Sequence, residues 1–371
     1  MKAIGIILAG GNNDRLRELC SVRAVSAIPV GSSYRAIDFS LSNMTNSNIK
    51  KVAIITQYNS RSLHDHLSSS KWWDLGRKQG GMFVFSPFLS NDNSYWFRGT
   101  ADSIYQNLNY LKKSNEEYVV IASGDGVYKM NYRDVIKYHK EKNADITIVC
   151  KDLKDSGKDL HDFGIMEFDD DMRMTDFEEK PVEPMNTTAS LGIYVISRTL
   201  LIKLLETVIP EGRYDFVKDI IIRYKRQLHI YGYKYDGYWN TLNNVKSYVD
   251  VNMDFLKRDI RNMFTKESPF IDTKPKDEPP AKYNIGADVK DSLVGSGSIL
   301  NGHVSHSVLS RKVFSGEGSV IKDSIIMEGS YIGNNCVIEN AIIDKQVVVS
   351  DDKKVIGTPD NPVIIAKGTV I

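Results

Sequence analysis

The apolar run Ile4 to Leu8 empties into Ala9-Gly10-Gly11-Asn12-Asn13-Asp14-Arg15. Small residues in that loop let backbone amides approach phosphate oxygens, and Arg15 can pair with them. The same residues also describe a tight strand-to-helix turn, and the loop by itself does not choose between the two. Asp125 follows the apolar run Val119 to Ala122, at the carboxyl end of a predicted strand, which is where ligands lie in open α/β sheets. Other clusters read more plainly. Asp169-Asp170-Asp171 lies between two apolar runs and is expected to be a solvated hairpin turn rather than a metal cluster. His64 and His66 have no third ligand nearby, which predicts a pair on a helix surface. Cys20, Cys150 and Cys336 are odd in number, far apart and without a Cys-x-x-Cys spacing, so neither a disulfide framework nor a zinc site is written here.

The elements that must position these groups alternate strand-like runs with helical patterns over roughly the first 255 residues, the signature of a mostly parallel α/β sheet. Ile4 to Leu8, Val52 to Thr56, Val119 to Ala122 and Ile146 to Val149 read as its strands. Thr100 is expected to cap one helix in which Ile104, Leu108 and Leu111 recur at helical spacing and Lys112-Lys113 suit the negative end. Gly164 to Phe168 and Met172 to Phe177 form the predicted antiparallel hairpin.

From Ser268 to Lys282 the composition shifts to Pro, Lys, Asp and Glu, which leaves no room for a helix. Beyond it Val308, Phe314, Val320, Ile326, Ile332 and Ile338 recur every six residues, followed by Val337, Ile343, Val349 and Val355 at a phase shifted by one. Period six is neither helix nor alternating strand. It predicts a left-handed parallel β-helix of roughly five coils at about 18 residues each, with glycines at the corners. The expected organisation is therefore a domain over 1–260, a linker over 261–282 and a β-helix over 283–371.

Composition sets the outer bounds. At about 150 residues per domain, 371 residues make two or three domains. With 42% apolar and 26% charged residues, the disordered and collagen-like classes drop out. Lys plus Arg at 48 against Asp plus Glu at 47 leaves +1, so no bulk field favours nucleic acid or an anionic membrane. The first apolar stretch is too brief for a secretory signal, and no later run approaches about 18 apolar residues. Together with the thiol pattern this predicts a soluble cytoplasmic protein.

Arg35-x-x-Asp38-Phe39-x-Leu41-Ser42-Asn43, Thr56-Gln57-Tyr58, Trp96-Phe97-Arg98-Gly99-Thr100-Ala101-Asp102, Gly124-Asp125, Glu179-Lys180-Pro181 and Gly192-Ile193-Tyr194 occur in that order along the chain. Together they resemble the ADP-glucose pyrophosphorylase (glucose-1-phosphate adenylyltransferase) family of glycogen and starch synthesis. The resemblance covers nearly the whole chain. It implies a Rossmann-like nucleotidyltransferase domain with a mostly parallel mixed sheet, followed by the β-helix. The reaction it implies is attack of the glucose 1-phosphate oxygen on the α-phosphorus of ATP, with Mg²⁺ held by two aspartates.

Carried over residue by residue, the resemblance makes Asp125 the first metal-binding aspartate. The second should follow the family's Tyr-Trp by two residues, but the segment reads Tyr238-Trp239-Asn240-Thr241 and Thr241 replaces it. A neutral hydroxyl removes a full negative charge from a Mg²⁺ site with few protein ligands, so no metal is expected to bind tightly. In the nucleotide loop formed by Gly10, Gly11, Asn13 and Arg15, Asn13 occupies the third glycine of the family's Gly-Gly-x-Gly-x-Arg. It is expected to keep the left-handed turn while its side chain protrudes toward a triphosphate. Val25 stands where the family has the lysine of Arg-Ala-Lys-Pro, and Gly126 where histidine is common. The sugar-phosphate half is retained: Lys180 matches the lysine that pairs with the phosphate, and Gly164, Glu179 and Ser190 match neighbouring positions. Gln57 and Trp96 match positions implicated in passing an effector signal; an ordinary loop glutamine and a buried aromatic describe them as well.

Departures confined to the ATP and metal half point to a GlgD-type partner subunit, inactive or weakly active alone, which joins a catalytic relative in a heterotetramer and tunes it. A sugar phosphate or other anion is its expected small ligand. An active adenylyltransferase using Mg²⁺ is the alternative. A hexapeptide acyltransferase using His303 or His306 is the more distant one.

Overall fold

The structure, a computed structural model, describes residues 2–76, 80–88, 95–154 and 156–371. Its strands begin with β1 (Ala3–Ala9), a short ribbon of β2 (Pro29–Val30) with β3 (Tyr34–Arg35), β4 (Lys51–Thr56), β5 (Gly81–Phe85), β6 (Tyr118–Ser123) and β7 (Gly126–Tyr128). They continue with β8 (Ile146–Asp152), β9 (Gly164–Phe168), β10 (Met174–Glu179), β11 (Thr188–Ser197), β12 (Ile230–Lys234) and β13 (Trp239–Thr241). Nine of them build one mixed sheet in the order β10-β9-β11-β6-β1-β4-β5, with β8 joining β11 to β12. β1 runs parallel to β4 and β6, so their carboxyl ends open on the same edge. Ile4 and Ile6 face one core and Ile7 and Ala9 the other, which is why this strand is a continuous apolar run.

Helices cover both faces. α1 (Ala36–Asn46), α2 (Arg61–Leu67) and α5 (Tyr132–Glu141) lie on one face; α3 (Thr100–Tyr105), α4 (Leu108–Lys112) and α6 (Arg198–Val208) lie on the other. The single helix expected from Thr100 onward is thus two. Asn107, at φ −107° and ψ 20°, turns its side-chain amide onto the Ser103 carbonyl at 2.9 Å, and this local bond competes with the helical ladder. Thr100 does not cap by its own hydroxyl, which accepts from the Phe216 N–H at 2.8 Å. The Asp169 to Asp171 turn forms as read: the Asp169 carboxylate accepts from the N–H groups of Asp171 and Arg173. His64 and His66 do not form a surface pair. Two residues apart on α2 they diverge, with His64 reaching the Thr56 hydroxyl and His66, only 6% exposed, bonded to buried Asp38 at 2.6 Å.

α7 (Val245–Asp254) and α8 (Arg258–Thr265) close the first domain. α8 runs into residues expected to be linker because Phe264 is fully buried, stacked on Phe255 at 5.4 Å and edge-on to Phe39 at 5.1 Å. The segment after it, without helix or strand until Lys282, is tied down: the Asp272 N–H donates to Ser42 and the Thr273 hydroxyl to Asp38.

Residues from Lys282 onward form three parallel sheets of five strands each, one per side of a β-helix. Partners on successive inner coils lie 17 positions apart, as in Phe314 with Tyr331 and Val320 with Val337, not 18. From Leu309 to Val355 two sides of a coil take six residues and the third takes five, so the inward position slips by one from coil to coil. Leu309, Ser315 and Ile321 point inward in one coil, then Ile326, Ile332 and Ile338, then Ile343, Val349 and Val355. Val320, assigned inward from the periodicity, is 37% exposed and Phe314 half-buried. Corners use the left-handed backbone at Gly297, Gly318 and Gly329, but also at Asn335, Gln346 and Asp352.

The β-helix is clamped to the first domain at the loop after β1. Arg23 Nη2 donates to both carboxylate oxygens of Asp344, at 2.8 and 2.9 Å, with both side chains almost wholly buried. Arg17 reaches Asn361 at 3.2 Å. No helix among the described residues is long and apolar enough to cross a membrane.

Candidate nucleotide and sugar-phosphate site

A cavity of about 740 Å³ opens at the carboxyl ends of β1, β4 and β6. The side where the resemblance places the nucleotide is lined by Gly10, Gly11, Asn13, Arg15, Gln57 and Asp125, with Thr241 beside them. The side where the resemblance places the sugar phosphate is lined by Gly164, Glu179, Lys180 and Ser190. The fold therefore gathers into one cleft positions separated by more than two hundred residues. Trp96 alone among the predicted site residues does not line it. It is not buried but 65% exposed, stacked on cavity-lining Tyr58 with ring centroids 6.5 Å apart.

The loop after β1 is held closely. A Cβ on Gly10 would lie 3.3 Å from the Gln57 backbone nitrogen, so a side chain there would push the loop away from the end of β4. Gln57 is fixed by a reciprocal pair of bonds with Phe97, accepting its N–H at 2.7 Å and donating to its carbonyl at 3.3 Å. Asn13 does not take the left-handed turn. At φ −141° and ψ 95° it is extended, its Oδ1 accepts the Arg15 N–H at 3.1 Å, and its Nδ2 donates to the carbonyls of Leu242 and Asn243 at 3.3 and 2.9 Å. Its side chain spans the mouth toward β13 instead of protruding freely. Arg15 is engaged as well: its guanidinium pairs with Asp162.

Asp125 and Thr241 are brought close by strand pairing. β7 and β13 pair antiparallel with Thr241 opposite Gly126, and the Leu242 N–H donates to the Asp125 carbonyl at 3.2 Å. Burial raises the Asp125 carboxyl above its ordinary range, opposed by a hydrogen bond from the Ser123 hydroxyl. Thr241 supplies a neutral oxygen. Among the described residues no group of three or more His, Cys, Asp or Glu side chains converges to hold a metal. One carboxylate and one neutral hydroxyl carry one negative charge fewer than the two aspartates the resemblance requires, a poorer donor set for a divalent ion. At Gly126 a Cβ would press within 2.8 Å of the Tyr128 ring, so the histidine common there in the family could enter only if that ring moved.

The sugar half is built on the β9–β10 hairpin, where Gly164 faces Glu179 across the ladder. A Cβ on Gly164 would stand 2.4 Å from the Phe177 ring and 3.0 Å from Glu179 Oε2, so a side chain there would displace both. Lys180 terminates the hairpin in the left-handed conformation, φ 51°, anchored by its N–H to the Phe163 carbonyl at 3.1 Å, and its side chain is exposed. Burial raises the Glu179 carboxyl and the Lys180 charge partly offsets this. Ser190 is placed by accepting the Gly192 N–H at 3.3 Å. A cation, a carboxylate and a hydroxyl thus border one open space, a set suited to a phosphorylated polyol.

Sequence reasoning gave no role to Asp162 or Asn243. Asp162 Oδ2 accepts from Asn243 Nδ2 at 2.8 Å, so both belong to the nucleotide side. The available signal was position: Asp162 stands two residues before Gly164. His303 and His306 lie exposed on the β-helix, His306 bonded to Asp323 at 2.7 Å and His303 beside Asp288.

Residues 4–258 match the nucleotidyl transferase family and residues 279–361 the GlmU-like C-terminal hexapeptide family, whose repeat is the left-handed β-helix seen here. Three proteins named glucose-1-phosphate adenylyltransferase, from Bacillus anthracis, Bacillus mycoides (strain KBAB4) and Bacillus thuringiensis (strain Al Hakam), are each 38% identical to it. The alignments span 376 or 377 residues, 99% of this chain and 98% of each relative. Matched from end to end, with its strands, cleft and coils in the order those similarities require, the chain belongs to the glucose-1-phosphate adenylyltransferase family.

Proposed function

We propose that this chain is a regulatory, GlgD-type subunit of a glucose-1-phosphate adenylyltransferase, weakly active or inactive alone, assembled with a catalytic relative in a heterotetramer of the cytoplasm. The observation that carries the reading is Thr241, held opposite Gly126 and so next to Asp125, at a place where two carboxylates would be needed to hold Mg²⁺ against the phosphates of ATP. The engaged Arg15 and Asn13 support it. The retained sugar half supports binding of glucose 1-phosphate or a similar sugar phosphate, with Lys180 on the phosphate. Regulation gains support from the loop after β1, which lines the cleft at one end and grips the β-helix through Arg17 and Arg23 at the other.

The alternative, an active adenylyltransferase, rests on Asp125 and on the names of the relatives. Pyrophosphate release from ATP and glucose 1-phosphate by the purified chain separates the two. Turnover near that of an ordinary member of the family would overturn the regulatory reading. Co-purification with a catalytic relative, followed by kinetics of the mixture, tests the other half: raised turnover or shifted effector sensitivity is expected, and unchanged kinetics at saturating partner would count against regulation.

A further inference from the structure

Three segments remote in sequence are stitched together over the nucleotide side of the cleft: the loop Gly10 to Arg15, the turn Leu160–Asp162 and residues 242–244. Asp162 is the knot. One of its oxygens takes the Arg15 guanidinium; the other takes the side-chain amides of Asn243 at 2.8 Å and Asn244 at 3.5 Å. Asn13 closes the circuit from the opposite side through its bonds to the Leu242 and Asn243 carbonyls. The two partners of the ion pair are unlike. The Arg15 side chain is 64% exposed and the Asp162 side chain 6%. A pair with one partner in solvent contributes little to folding, so stability is a poor account of this arrangement.

We propose that Asp162 is a built-in anion that occupies the phosphate-loop arginine and keeps polyphosphate out of the nucleotide half. This rests on the regulatory reading above and deepens it: the half is disarmed by a carboxylate added as well as by one lost. Arg15, on an exposed stem, can swing away. Asp162, fixed by two amides, cannot follow. A triphosphate entering the loop therefore competes with a resident carboxylate for Arg15, and meets that carboxylate's uncompensated charge once Arg15 turns to it.

The test is calorimetric titration of inorganic pyrophosphate, and separately of ATP, into the full chain and its variants. Asp162→Asn keeps the amide contacts and removes the charge; it should tighten binding by about tenfold, the scale of one charged hydrogen bond regained. Adding Arg15→Ala should abolish the gain. Asp159→Asn, on the same turn but away from Arg15, changes net charge equally and should stay within about twofold of the parent. Asp162→Ser, equally neutral, must reproduce the gain should the asparagine variant fold poorly. A folded neutral variant that binds pyrophosphate no tighter than the parent, or a gain that survives loss of Arg15, overturns the proposal. Binding of pyrophosphate needs no turnover. Activity of the parent chain would therefore sink the regulatory reading and leave this one to be judged on affinity.

Discussion

The two halves of the cleft are built from the same sheet and treat their polar groups oppositely. On the nucleotide side Asn13, Arg15 and Asp162 spend their hydrogen bonds on one another and on residues 242–244. On the sugar side the Lys180 side chain is exposed, and Ser190 accepts a neighbouring N–H. The closed half is also the half wired to the β-helix, whereas the open half stands on the β9–β10 hairpin and β11 alone. On the regulatory reading proposed above, a binding site is lost less by erosion of its fold than by redirection of its donors and acceptors inward.

The sharpest way to break this contrast is to reopen the closed half. Thr241→Asp combined with Asn13→Gly restores a second carboxylate and unties the loop, and Mg²⁺-dependent pyrophosphate release should rise by about a hundredfold. No rise would move the defect to Val25 or Gly126. Next comes the wiring. Arg23→Ala leaves Asp344 buried without its partner and should cost about 3–5 kcal/mol, read as a lowered midpoint in thermal or urea unfolding. A shift of less than about 1 kcal/mol would mean that the clamp is solvated.

The open half should respond more mildly: Lys180→Ala is expected to weaken glucose 1-phosphate binding about tenfold by titration, with the unfolding midpoint unchanged. The smallest effect is a pH dependence at the domain boundary. Burial opposes ionisation of Glu328, but Lys276 and Lys345 outweigh it and hold its carboxyl down at about 2. A carboxyl depressed on folding contributes stability above its unfolded value, and that contribution fades as pH falls from about 4.5 toward about 2. Glu328→Gln should flatten this stretch of the stability profile. An unchanged slope would show that the pair forms in solvent with no net effect.

Much of this was legible in the sequence because the chemistry is local. Gly10-Gly11, Asp125 and Glu179-Lys180 announce themselves by residue type beside apolar runs, and the six-residue rhythm announces the coils. What escaped depends on distance or on register. Asp162 acquires its role only when the chain returns Arg15 and Asn243 to it, and no short-range pattern encodes that meeting. His66 was misjudged because Asp38, its buried partner, arrives from another helix. The break between α3 and α4 depends on one amide preferring a carbonyl to solvent. The coil of 17 hides in a period of six because a single five-residue side shifts the inward face by one step.

The segment joining the two domains also has a mechanical meaning. With Asp272 and Thr273 fastened to α1, and Arg23 gripping Asp344, the coils have no slack in which to drift. Displacement of the β-helix must therefore either break these fastenings or pass through Arg23 into the loop that carries Gly10 and Arg15, so two stretches of chain far apart in sequence bear the load together.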